Sequence, residues 1–195
     1  MKGFTPIRKT FSESVLRMFF FGVFFSFVFV SQAQSLFEMN GGVIKFESIA
    51  LLENITATSN QAKGIVNITQ NTFALSVEIN SFKGFNSDLQ KEHFNENYLE
   101  SDIYKKSTFT GKLIDKFDPT KATQTIRSKG QLEIHGVKQE RIISVTLVKS
   151  GNNYTLSADF NVLLEDFGIS VPRIVNQKIA EIIFVTIRGT IKPKQ

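Results

Sequence analysis

The 195 residues contain no cysteine and no tryptophan, and only two histidines and four prolines. Without cysteine there is no disulfide framework, no thiolate metal site, no cysteine nucleophile and no acceptor for the lipid of a bacterial lipoprotein. His93 and His135 lie far apart in the chain, and neither has a second ligand at metal-binding spacing. His93 and Glu96 are three apart on one helical face, an arrangement commoner as a surface contact than as half of a metal site. A G-x-S-x-G nucleophile elbow and a Gly-rich phosphate loop are both missing, so the usual hydrolase and nucleotide-binding signatures are absent and no enzyme is expected. No apolar run reaches the roughly 18 to 20 residues that span a bilayer.

The longest such run is Met18 to Val30, MFFFGVFFSFVFV. Lys2, Arg8, Lys9 and Arg17 precede it, and Ser31-Gln32-Ala33 supplies a small-x-small cleavage signal before Gln34. That order is the order of a secretory signal peptide, which predicts export to the periplasm or the medium, cleavage near Ala33, one domain over 34–195 and no stable membrane span afterwards. The leader holds four basic residues against Glu13, so most of the formal net charge of +5 belongs to it. The remaining basic residues are scattered and form no stripe, which argues against a nucleic-acid partner. Three Asn-x-Thr sequons, at Asn54, Asn67 and Asn153, matter only in a eukaryotic secretory route.

What is present is period-two alternation. Val43 to Ile49 reads as an opening strand, with the polar stretch Asn54 to Gln61 separating it from the next. Gly64, Val66 and Ile68 alternate with polar neighbours, Gln70-Asn71 turns the chain, and Phe73, Leu75, Val77 and Ile79 repeat the pattern in return. Phe109, Gly111 and Leu113 share a face, as do Ile126, Ser128, Gly130, Leu132 and Ile134. His135-Gly136 reverses the chain into Ile143, Val145 and Leu147, and Ser150 to Asn153 reverses it again into Tyr154, Leu156, Ala158, Phe160 and Val162. Glu165 to Lys178 breaks the rhythm before a last strand, Ile182 to Ile191. Seven or eight strands joined mostly by short polar turns predict an all-β antiparallel meander, and closing it into a barrel removes its edges. The small inward residues Gly64, Gly111, Ser128, Gly130 and Ala158 have two readings: withdrawn volume that leaves a cavity, or bulges and bends.

One helix interrupts the strands. Ser87 can cap it, Gln90 can answer in a capping box, Phe94 and Tyr98 share a face with Leu99 beside them, and Ser101 and Asp102 should end it before a strand enters near Ser107. Such an element suits a lid on an open barrel end.

Three blocks carry a resemblance: EHFNENYLESDIYKKSTFTGKL (Glu92 to Leu113), GQLEIHGVK (Gly130 to Lys138) and DFNVLLEDFGISVPRIVNQKIAE (Asp159 to Glu181). In this order they resemble the YceI-like family, most of all its Bacteroidetes-type branch. The resemblance implies an eight-stranded antiparallel lipocalin-like barrel with a short capping helix, exported, that holds an isoprenoid or quinone-like lipid and needs no cofactor besides that guest. It implies that helix Glu92 to Leu99 and loop Asp166 to Pro172 flank the tunnel mouth, and relatives of this shape are often homodimers. The inward strand residues Phe73, Leu75, Val77, Phe109, Leu132, Ile134, Val145, Leu156, Phe160 and Val185, with Phe94 and Tyr98 from the helix, are candidates to line a lipid site. The chain departs from the family pattern at Lys105, often Pro, and at Val137-Lys138, where a Thr is often inserted; its opening strand also lacks the H-S-x-[VI]-x-F pattern of isoprenoid-binding relatives. The rival expectation is a fully packed barrel that acts through protein contacts in the cell envelope.

Overall fold

In the computed structural model the described residues are 36–194, and the expected leader with its cleavage site lies outside them. Eight strands follow one another round a closed antiparallel barrel: β1 (Leu36–Ile49), β2 (Asn54–Asn67), β3 (Thr72–Glu78), β4 (Lys106–Leu113), β5 (Thr123–Ile134), β6 (Val137–Ser150), β7 (Asn153–Leu163) and β8 (Ile182–Pro193). The expected all-β, eight-stranded antiparallel barrel is what forms, with β8 pairing β1 to close it. Among the described residues no helix is long and apolar enough to cross a membrane.

The alternation works as the sequence implies. In β5, Ile126, Ser128 and Leu132 are buried, and in β7 Tyr154, Ala158 and Val162 are buried, while Arg127, Lys129, Thr155 and Asp159 face water. His135 and Gly136 both take positive φ, 51° and 73°, so the β5–β6 reversal is a two-residue turn of the hand that matches strand twist.

Two boundaries differ from expectation. β1 begins at Leu36, not Val43, and the polar stretch Asn54 to Gln61 is strand rather than spacer. The inward residues of β2 there are Ile55, Ala57, Ser59 and Ala62, all buried. Small side chains fit where the wall runs close to its neighbours, and their low hydrophobicity hid the pattern. β1 itself bulges around Gly41, whose φ is +75°, so its apolar positions slip out of phase.

Below the bulge the barrel is filled more tightly than above it. Met39, 2% exposed, fills a socket: a Cβ on Gly42 would lie 2.6 Å from its sulfur and one on Gly189 only 2.2 Å. Phe37, Phe117 and Tyr154 plug that end, with ring centroids 5.2 to 6.3 Å apart. The strand ends opposite the plug carry the longer connections and the lid.

Candidate functional site

The lid begins where sequence placed it. Ser87 Oγ accepts from the Gln90 backbone N–H, and α1 (Asp88–His93) follows. The capping box differs in one respect: the Gln90 side-chain oxygen Oε1 accepts from Asn86 N–H, one residue before the cap. After His93 the helix widens into a π-turn, Phe94–Tyr98, instead of running on to Ser101. The cause is local. Asn95 Nδ2 donates to Lys91 O at 2.8 Å, occupying the acceptor that the next backbone amide would use. Leu99 N–H then closes on Phe94 O, five residues back. Closing i to i+5 swings Leu99 round toward Phe94, so Phe94, Tyr98 and Leu99 all border the barrel interior.

Four phenylalanines hold the lid to the wall. Phe94 stacks on Phe46 of β1 with centroids 5.3 Å apart, and Phe82 and Phe85 pack against both. Phe82 and Phe85 come from an aperiodic segment, which is why alternation overlooked them. That segment is fixed to β2 by paired backbone bonds between Thr58 and Lys83.

Beneath the lid lies an apolar cavity of about 510 Å³. Its size is typical of a small-molecule site, and its wall is aliphatic and aromatic. Of the sequence candidates, Leu75, Val77, Phe94, Tyr98, Phe109, Leu132, Ile134, Phe160 and Val185 border it. Phe73, Val145 and Leu156 do not; they border a separate void of about 90 Å³ nearer the plug. Leu75, Phe109, Ile143 and Ile187 border both, so they form a waist. Residues outside the candidate set also line the larger cavity, among them Ile44, Phe46, Ile55, Val162, Ile169 and Ile183, although alternation already put Val162 on the shared face of its strand. For Ile44, Phe46 and Ile183 the period-two signal was there to be used.

The small-residue signal needs correction. None of Gly64, Gly111, Ser128, Gly130 or Ala158 borders the large cavity. Gly111 and Gly130 face each other across β4 and β5, and a Cβ on either would lie 2.1 to 2.2 Å from a carbonyl of the opposite strand. They permit close backbone approach. Gly64, Ser128 and Ala158 border only the small void.

The mouth is where lining residues are also exposed: Leu89 and His93 on the lid, Lys178 on the connection before β8. Glu53 joins the rim, with Oε1 accepting from Gln90 Nε2 at 3.0 Å and from Asn86 Nδ2 at 3.2 Å. Burial pushes the Tyr98 phenol above its ordinary pKa, so it is a neutral hydroxyl at the cavity wall. His93 and Glu96 are both exposed, and no group of three or more potential ligands gathers among the described residues.

The histidine contact that does form is elsewhere. His135 Nε2 lies 2.6 Å from Glu100 Oε2, and its Nδ1 donates to Phe167 O at 3.3 Å. A carbonyl only accepts, so the contact with Phe167 requires a hydrogen on Nδ1. The bonded groups belong to the lid's end, the β5–β6 turn and the connection after β7. Their neighbours Leu99, Ile134 and Ile169 line the cavity, so this contact fixes three parts of its wall. Arg141 pairs with Asp166, anchoring the same connection to β6.

Comparison with known proteins places this geometry. The YceI-like domain family model matches residues 31–191. Among solved structures, a polyisoprenoid binding domain from Saccharophagus degradans, implicated in plant cell wall breakdown, aligns with a TM-score of 0.69 and 13% identity, over 81% of this chain and 98% of its own. Burkholderia cenocepacia BcnA aligns with a TM-score of 0.65 and 11% identity, over 76% and 95%. The Campylobacter jejuni YCEI protein gives 0.53 and 17% identity, over 64% and 73%. At such identities the likeness is one of fold. No curated protein matches the chain in sequence.

Proposed function

The chain belongs to the YceI-like family, and from that premise we propose that it is an exported binding or carrier protein that holds a long apolar lipid, isoprenoid or quinone-like, inside its barrel without altering it. The observation that supports this reading is the cavity of about 510 Å³ under the lid, apolar within and edged by Glu53, Gln90, His93 and Lys178 at its mouth. Each methylene moved from water into such a wall gains roughly 0.8 kcal/mol, so a tail of modest length binds firmly. The polar end of the lipid stays at the rim, where carboxylate, amide, imidazole and ammonium groups offer hydrogen bonds. Export to the periplasm or the medium is part of the proposal and follows from the leader. The polyisoprenoid named for the Saccharophagus domain supports the class of guest. The rival of a fully packed barrel is disfavoured by the cavity itself.

The experiment is solvent extraction and mass spectrometry of protein purified from its own host, beside titration with a fluorescent fatty-chain probe. A co-purifying long-chain lipid that the probe displaces is the expected result. Protein that arrives empty and takes up no probe overturns the reading.

A further inference from the structure

Around the mouth, apolar side chains face water in a way the rest of the surface does not require. Ile174 is 93% exposed, Leu51 82% and Leu52 64%. Ile49, Leu89, Ile182 and Phe184 are exposed at the same end. Single exposed aliphatics are ordinary, but a cluster beside an apolar opening is not. The turn that carries Leu51 and Leu52 is tied to the segment that carries Ile174, since Leu52 N–H donates to Gln177 O at 2.8 Å.

The charge of that segment favours one occupant. Residues 171–180 contain Arg173 and Lys178 and no acid, and both side chains are exposed and outside the ion pairs found among the described residues. Of the acids nearby, Asp166 is neutralised by Arg141, and Glu53 accepts from Gln90 and Asn86. Exposed Glu165 and Glu181 flank the segment in sequence. Exposed aliphatics with adjacent cations are the composition that seats on an anionic lipid surface: the apolar groups enter the headgroup layer and the cations hold lipid phosphates. The same short segment also reaches inward, for Val175, Lys178 and Ile179 border the cavity.

We infer that the apolar rim formed by Leu51, Leu52 and Ile174, with Arg173 beside it, docks the mouth of the barrel onto an anionic lipid bilayer. Docking there places the opening against the membrane, and a chain passes between bilayer and cavity without crossing water. The surface acts independently of which guest the cavity prefers.

Flotation of the purified protein with phosphatidylcholine vesicles, with and without phosphatidylglycerol, tests it. The wild type should float with the anionic vesicles and bind them less as salt rises. A Leu51→Ser/Ile174→Ser double variant should bind them about tenfold or more weakly, since two aliphatic insertions are lost. Arg173→Glu should weaken binding to anionic vesicles by on the order of fivefold or more and leave the neutral ones unchanged. None of these residues lines the cavity, so uptake of the fluorescent fatty-chain probe without vesicles should be unaltered, which separates failure of docking from failure of lipid binding. Wild-type protein that floats with no vesicle overturns the inference. So does a double variant that floats as well as wild type, or a wild-type dimer that the double variant converts to monomer with vesicle binding unchanged, which would assign the patch to a second copy of the chain.

Discussion

Phe109 sits at the waist between the two voids, its ring 4.7 Å from that of Phe73, and its truncation measures how full the interior is. In a dense core Phe→Ala costs about 3 to 5 kcal/mol. Here the ring already borders empty space on two sides, so Phe109→Ala should fall near the bottom of that range, about 3 kcal/mol in urea unfolding, while joining the voids and admitting a longer probe. His135 supports a different claim. Replacing it by Ala removes bonds to Glu100 and Phe167 that no other side chain supplies, at about 1 to 3 kcal/mol, and amides of the lid should exchange faster than those of β5 and β6. Unchanged exchange in the lid would mean that the contact does not brace it. Asp115 gives the pH dependence its sign. Hydrogen bonds from the Arg127 side chain and backbone hold its pKa down at about 2 from 3.8, so the folded state prefers the ionised form. The stability this contributes is present above about pH 4 and is lost as pH falls through about 2. Because the carboxylate is partly exposed and its partner Arg127 is screened by water, the effect is small, and Asp115→Asn should flatten that part of an acid-unfolding curve without changing stability near neutrality much.

Among the elements, β4 and β5 are joined most closely at Gly111 and Gly130, and that is where a methyl group is least tolerated. Gly111→Ala would place carbon 2.1 Å from Lys129 O, so the strands must part, and a loss of about 2 kcal/mol or more is expected in thermal unfolding. An Ala variant as stable as wild type would show that the wall yields there. The strands were largely legible before the structure, because each hairpin carried its own signal: alternation on both arms and a turn such as His135-Gly136 between them. Residues 36–42 and 54–61 escaped for a physical reason. A bulge at Gly41 breaks the phase of β1, and the inward positions of β2 are Ala57, Ser59 and Ala62, small because the wall leaves no room for more. The lid was legible as a helix from Ser87, but the π-turn depends on one side chain, Asn95, choosing a backbone acceptor, and propensity does not reveal that choice. Phe82 and Phe85 were hidden by lacking any period.

At the scale of the whole molecule, closure could be argued from sequence because exposed edges are costly, but the presence of a cavity could not, since the glycines and small residues that suggested one turned out to serve strand contact and the small void. The room comes from the upper half of a barrel whose lower half is filled by Met39 and the Phe37, Phe117 and Tyr154 plug, with the lid held off the floor by stacked phenylalanines. Whether that room is used can be tested by filling it. Val185 of β8 borders the large cavity and is half-buried, so Val185→Trp puts a ring into space that is empty and should leave the barrel folded, with the same far-UV spectrum and a melting temperature no lower than wild type. A ligand that binds only the folded state stabilises it by mass action, about 2.7 kcal/mol at a hundred times its dissociation constant, which in a chain of this size is a shift of roughly 5 to 10 °C. Wild type should show that shift with an isoprenoid alcohol of suitable length, and Val185→Trp should show little of it. Equal shifts in both proteins would mean that the lipid binds outside the barrel, and the cavity would then be a consequence of the fold with no part in carriage.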